Sequence, residues 1–148
     1  MSVGRWAAVA AVAAVLCAGC MGEAMQQFRL DPAVRAHEFR VAADYASTYR
    51  CLMGCLQKDY PGAVRGNLFH EIKAGQIMVG FVPTSGPPVV LMTLDIVSAP
   101  EPTTVRVYYR QGPGAAAGEA QAAAVARCAQ AALGGAPAAP QELTITTP

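Results

Sequence analysis

The chain has 148 residues, of which 11 are basic and 10 are acidic, so its formal net charge is +1. A chain of this length forms one ordinary domain. Proteins that bind nucleic acids by neutralising phosphates carry a basic patch or stripe, and no such concentration of charge occurs here. The sequence therefore predicts no nucleic-acid partner.

The first twenty residues follow the order of an export signal. Arg5 supplies a basic start, residues 6–16 are apolar, and two small residues, the second of them Gly19, precede Cys20. Signal peptides have these parts, with an apolar middle of roughly 7 to 15 residues. A membrane-spanning helix needs about 20 apolar residues, which is more than this run offers. We therefore predict a signal peptide over residues 1–19.

The sequence Leu-Cys-Ala-Gly-Cys at residues 16–20 resembles the lipobox of bacterial lipoproteins. A lipobox has a branched apolar residue, two small residues and then a cysteine. Cys17 stands where Leu is usual, and Leu16 comes one residue early. The resemblance, which covers about the first twenty residues, implies that a diacylglycerol is attached to the Cys20 thiol, that the preceding peptide is removed, and that the new amino group is acylated. The alternatives are an unlipidated cysteine and cleavage further along, for example after Ala24.

The resemblance also implies a location. Several acyl chains, each contributing about 0.8 kcal/mol per buried methylene, hold a protein durably on a membrane. In lipoproteins of bacteria with two membranes, Asp after the lipidated cysteine favours the inner membrane, and Met21 is not Asp. We therefore expect anchoring in the outer membrane, facing the periplasm, with residues 20–30 as a lipidated tether.

The rest of the chain predicts an α+β domain over residues 31–135. Asp31-Pro32 is typical of a helix start, and apolar residues from Val34 to Leu56 share one helical arc, which predicts a helix over 33–57. Turn residues then separate four segments of strand type. These are residues 64–72, 76–82, 89–97 and 103–110.

An alanine-rich helix over residues 115–133 follows the strands and ends at Gly134-Gly135, as helices often do. Residues 136–148 are rich in Pro, Ala and Thr and predict a disordered tail. Short connections favour an antiparallel meander. The expected fold is a two-layer sandwich with the order α-β-β-β-β-α, in which a four-stranded meander carries the N-terminal and C-terminal helices on one face.

Cys20, Cys51, Cys55 and Cys128 remain after removal of the signal peptide. Export leads to an oxidising compartment, where disulfides persist. Residues i and i+4 of a helix have Cβ atoms about 5 to 6 Å apart, whereas a disulfide needs roughly 3.8 Å, so Cys51 and Cys55 should not pair. Cys55 lies closer to the buried stripe, and Cys128 is on the buried arc of the last helix. We predict a Cys55–Cys128 disulfide between the helices and leave the role of Cys51 open.

Three other groups of residues are candidates for chemistry. Cys51, Met53 and Cys55 offer soft ligands for a metal such as Cu(I), but their spacing is neither that of a redox pair nor that of structural zinc. Tyr108 and Tyr109, with Arg106 and Arg110, offer an aromatic and basic strand surface. His37 and His70 are expected on the solvated surface, and no serine lies in a nucleophile-elbow sequence.

These patterns predict a non-catalytic periplasmic protein, anchored in the membrane by its N-terminal lipid, that serves in envelope interaction or assembly with an envelope protein as partner. No catalytic residue, cofactor or metal ligand is assigned. The alternative is a module for a small ligand or a soft metal, using either the cysteine segment or the Tyr108 surface. An enzyme ranks third.

Overall fold

A computed structural model describes residues 22–98, 102–111 and 115–134. The predicted signal peptide, Cys20 and the predicted tail at residues 136–148 lie outside these ranges. Within them the chain forms three helices and five strands, so the α+β class is confirmed. In chain order they are α1 (22–30), β1 (Val34–Val41), α2 (Tyr45–Asp59), β2 (Val64–Phe69), β3 (Ala74–Phe81), β4 (Val89–Val97), β5 (Thr103–Arg110) and α3 (Ala115–Leu133).

All five strands form one antiparallel sheet in the order β1-β5-β4-β3-β2. The predicted meander from β2 to β5 is confirmed. The additional strand, β1, pairs with β5 along its whole length, from Val34 opposite Arg110 to Val41 opposite Thr103. Helix α2 therefore connects the two edge strands of the sheet.

The prediction of one helix over 33–57 is wrong in its first part, because residues 34–41 form β1. Phe39 and Val41 are both buried, and their spacing of two places them on the same side of a strand, whereas a helix would separate them. Asp31, expected to cap a helix, instead stabilises a turn: its side chain accepts a hydrogen bond from Ala33 N at 2.8 Å. Its carbonyl accepts another from Val34 N.

Helix α2 begins after Asp44, which is its N-cap. The Asp44 carboxylate accepts hydrogen bonds from the backbone N–H of Ala46 at 2.9 Å and of Ser47 at 3.0 Å, and from the Ser47 hydroxyl at 2.8 Å. The hydrogen bonds from Ser47, followed by that from Ala46, hold the pKa of Asp44 below its ordinary value. Such caps satisfy N–H groups that a helix leaves unpaired in its first turn.

Helices α2 and α3 pack side by side on one face of the sheet, here called the helix face, as predicted. Helix α2 contacts β2, β3 and β4, while α3 contacts β1 and β5. Ala122, Ala126 and Ala129 of α3 are buried, and their small side chains let the helix approach the sheet closely. The strands contribute alternate apolar residues to this core: Phe39, Val41, Val64, Ile77, Val79, Met92, Leu94, Ile96, Val105 and Val107.

Helix α1 packs on the opposite face of the sheet, here called the open face. Its Met25 and Phe28 are buried, and Arg29 reaches Thr93 and Asp95 of β4. Residues 22–30, which the sequence assigned to a tether, are therefore a helix packed on the domain, and the predicted two-layer sandwich with two helices on one face is wrong in this detail. This helix packs on the sheet because Met25 and Phe28, three residues apart, lie on one side of it and are buried together. No helix within the described ranges is long and apolar enough to cross a membrane.

Candidate functional site

The part of the open face that α1 leaves uncovered forms a groove of about 560 Å³. The groove lies at the end of the sheet where the β2–β3 turn, residues 70–73, is located; we call this the 70–73 end. The opposite end of the sheet carries the β3–β4 loop and is called the 82–88 end. The side chains that define the groove are those of Phe69, Ile72, Gln76, Asp95, Val97 and Arg106.

Strand alternation places these residues on the open face. In β4, Met92, Leu94 and Ile96 are buried on the helix face, so Asp95 and Val97 point the other way. The same rule applies to the neighbouring strands, where Gln76 lies opposite Asp95 and Asp95 opposite Arg106. Three adjacent strands thus form the floor of the groove.

The rim of the groove is apolar and exposed to solvent. Ile72, in the β2–β3 turn, is 66% exposed, and Phe69 and Val97 are each 39% exposed. Scattered apolar side chains are ordinary on a protein surface, but these three line one concave site. The rim is therefore suited to contact an apolar segment of another molecule.

The charged groups at the groove are held in ion pairs. Asp95 accepts a 2.7 Å hydrogen bond from Arg29 Nη2 and a 3.3 Å bond from Gln76 Nε2. Arg106 donates to one Glu38 carboxylate oxygen from two nitrogens, at 3.0 and 2.6 Å. The hydrogen bond to Glu38 raises the pKa of Arg106 above its ordinary value, so this guanidinium stays charged.

The Tyr108 surface that the sequence proposed for binding is covered by α1. Arg29 lies over the Tyr108 ring, 4.6 Å from its centroid. Arg110 is paired with Asp31 at 2.8 Å. Tyr109 points to the helix face, where it packs against Gly118 of α3 so closely that a Cβ on Gly118 would come within 2.9 Å of its ring. Of the four residues proposed, Arg106 alone lines the groove.

The structure contains the predicted disulfide between Cys55 of α2 and Cys128 of α3, with Cα atoms 6.6 Å apart. The expectation that Cys128 would be buried is wrong, because it lies on an exposed position of α3. Cys51 is free and half-buried, and burial raises the pKa of its thiol. A raised pKa disfavours the thiolate that acts as nucleophile or metal ligand.

The disulfide also bears on the soft-metal alternative. Because the Cys55 sulfur is bonded to Cys128, the set of Cys51, Met53 and Cys55 loses one of its two thiolates. In the part of the chain that the structure describes, no cluster of three or more His, Cys, Asp or Glu side chains could hold a metal ion.

The two histidines lie apart from the groove floor. His70 is exposed, and its Nδ1 lies 2.9 Å from the Tyr45 hydroxyl. His37 is half-buried rather than fully solvated, because it shares the helix-face parity of Phe39 in β1. Neither histidine is joined to a carboxylate by the hydrogen bonds found among the described residues.

Sequence reasoning missed the groove rim, because Phe69 and Val97 were treated only as strand residues and Ile72 was placed in a strand. A signal was nevertheless present. Phe69 follows Leu68 directly, so one of these two large apolar residues has to face away from the core.

No protein-family model, no curated protein and no solved structure matches this chain. Its functional assignment therefore depends on the N-terminal sequence and on the groove.

Proposed function

We propose that this protein is a non-catalytic lipoprotein, anchored through Cys20 in the outer membrane and facing the periplasm, whose domain binds an envelope protein through the open-face groove. The observation that carries the binding role is the exposed apolar rim of Phe69, Ile72 and Val97. The N-terminal sequence carries the anchoring role.

The groove has the composition expected of a protein-binding surface. Exposed apolar patches bordered by polar groups mark interaction sites, and protein interfaces combine an apolar centre with a polar rim. Here the apolar side chains adjoin Asp95 and Arg106, which are already paired with Arg29 and Glu38. Because these charges bring their own partners, an apolar segment can bind beside them without leaving a charge unpaired.

The pKa shifts of Arg106 and Cys51 disfavour a catalytic role for these two groups. General acids, bases and nucleophiles need a pKa suited to proton transfer or attack. The guanidinium of Arg106 has a pKa raised by its hydrogen bond to Glu38, and the thiol of Cys51 has a pKa raised by burial. Near neutral pH, both shifts therefore favour the protonated form, in which neither group acts as a base or a nucleophile.

The anchoring role is tested by mass spectrometry of the amino terminus of protein extracted from membranes. We expect the mature chain to begin at a diacylglyceryl-modified Cys20. The Cys20→Ser variant should remain uncut and unacylated and should leave the lipidated fraction, while Cys17→Ser, the matched control, should be processed normally. A Cys20→Ser variant that is retained as firmly as the original protein, without lipid, would overturn the anchor.

The binding role is tested by placing a photoreactive phenylalanine analogue at Val97 and, as a control, at Gln57, which is exposed on α2 away from the groove. We expect one discrete crosslinked product in cells from position 97 and none from position 57. The product should disappear when Ile72→Asp is added, because a charge then enters the apolar rim. Equal crosslinking from both positions, or none from position 97, would refute the groove as the binding site.

A further inference from the structure

The 82–88 end of the sheet carries a second exposed apolar surface. Val82 is 75% exposed and Phe81 is 52% exposed, and Val89 and Leu91 are exposed as well. The connecting loop, residues 82–88, reads Val-Pro-Thr-Ser-Gly-Pro-Pro and contains no charged residue. We call Phe81, Val82, Val89 and Leu91 the loop patch.

The local backbone keeps this patch away from the core. Val79 pairs with Met92 and Gly80 with Val90, so a bulge leaves Leu91 without a partner in β3. A bulge bends a strand and redirects its side chains. Three prolines in the loop fix their own φ angles, which reduces the freedom with which the loop could fold back onto the sheet.

Helix α1 begins beside this patch. Ala24, Gln27 and Phe28 of α1 line one cleft with Pro88 and Leu91, and the volume of this cleft is about 750 Å³. Helix α1 is held there by the burial of Phe28 and by Arg110, which lies 5.8 Å from the centroid of the Phe28 ring. The first described residue of the chain is therefore near the 82–88 end.

The distance along the chain brings this surface close to the proposed anchor. Cys20 precedes the first residue of α1 by two positions, and two extended residues span at most about 7 Å. The groove rim lies toward the other end of the sheet, where Val97 is six residues along β4 from Leu91, roughly 20 Å at about 3.3 Å per residue. A lipid on Cys20 would therefore lie within about 7 Å of the start of α1, closer to the loop patch than to the groove rim.

We propose that the loop patch inserts into the bilayer interface beside the lipid anchor, so that the domain is held on the membrane in a fixed orientation; this inference depends on the proposed lipidation of Cys20. Apolar side chains that enter the boundary between headgroups and acyl chains bind in proportion to the apolar area that they bury. The partner is a lipid surface, because the patch is uncharged and the acyl chains would emerge within about 7 Å of the start of α1.

The test uses the lipidated full-length protein, purified from membranes and reconstituted in vesicles of phosphatidylethanolamine and phosphatidylglycerol. In a Cys51→Ser background, Val82→Cys is labelled with an environment-sensitive fluorophore. Ile72→Cys is the matched control, because Ile72 is 66% exposed, against 75% for Val82, but lies at the other end of the sheet. We expect the probe at position 82 to shift to shorter wavelength on reconstitution and to be quenched by brominated acyl chains but not by iodide. The probe at position 72 should keep its emission wavelength and should be quenched by iodide but not by brominated acyl chains.

The outcomes separate this inference from the function on which it depends. If mass spectrometry finds lipid on Cys20 and iodide quenches positions 82 and 72 equally, the inference is wrong and the anchor stands. If Cys20 carries no lipid, both fail.

Discussion

Removal of the disulfide between α2 and α3 should destabilise the domain strongly. Cys55 and Cys128 are 73 residues apart in sequence, and the closed loop contains all four strands from β2 to β5. The chain-entropy relation for a loop of this length gives about 4.4 kcal/mol at 25 °C, which is slightly above the range of about 2 to 4 kcal/mol usually measured for such bonds. We therefore expect the double variant Cys55→Ala with Cys128→Ala to lose about 2 to 4 kcal/mol of unfolding free energy.

Urea unfolding followed by circular dichroism measures this loss. With a slope of about 2 kcal/mol per molar urea, typical of a small domain, the midpoint should fall by roughly 1 to 2 M. Cys51→Ala is the matched control, because it removes a half-buried thiol that forms no crosslink. The reduced original protein should behave like the double variant. If the double variant and Cys51→Ala unfold at the same urea concentration, the crosslink does not constrain the unfolded chain and the reasoning fails.

Three further predictions concern single side chains. The Oγ1 of Thr48 is buried and has no hydrogen-bond partner among the described residues, so Thr48→Val should raise the unfolding free energy by about 1 kcal/mol. The matched variant Thr93→Val removes an acceptor for Arg29 and should lower the unfolding free energy. Equal effects of the two variants would contradict this reasoning. Gly80→Ala should lower the unfolding free energy by several kcal/mol, because the new Cβ would clash with the Val89 carbonyl oxygen and the backbone would have to shift. An unchanged thermal midpoint would refute the close approach of these two strands. Phe28→Ala should lower the unfolding free energy by about 3 to 5 kcal/mol if α1 belongs to the folded unit. Limited proteolysis should then cut within residues 22–30. Resistance of α1 to cleavage in this variant would contradict its dependence on Phe28.

The elements that could be predicted were those whose local sequence fits one type of secondary structure and no other. Strands β3, β4 and β5 have alternation bounded by Gly and Pro, and the last helix has a run of alanines that favours no other structure. The disulfide prediction rested on the spacing of Cys51 and Cys55, which excluded a bond between them, and on an expected burial of Cys128 that the structure does not show; the pairing of Cys55 with Cys128 was nevertheless confirmed. The strand and helix predictions needed only residues close together in sequence.

Strand β1 was missed because two patterns compete in its sequence. Val34, Val41 and Tyr45 fit a helical arc, but Phe39 does not, and the pair of Phe39 and Val41 fits a strand. The partner that decides between them is β5, which lies more than 60 residues later. Asp44 with Ser47 was the local signal for the true helix start, as an acidic N-cap followed by a hydroxyl that it binds.

The position of α1 connects the two proposed surfaces. Arg29 joins α1 to Asp95 at the border of the groove, while Phe28, one residue earlier, lines the cleft next to the loop patch. A membrane at the 82–88 end would therefore leave the groove rim at the end of the sheet farther from the bilayer, accessible to a partner in the periplasm. Reversing the charge of Arg29 with Arg29→Glu should break this link, since two carboxylates would then face each other across the 2.7 Å contact. We expect that variant to keep its disulfide and its lipid, but to weaken both the crosslink from position 97 and the protection of position 82. Loss of only one of the two signals would show that α1 does not link the two surfaces.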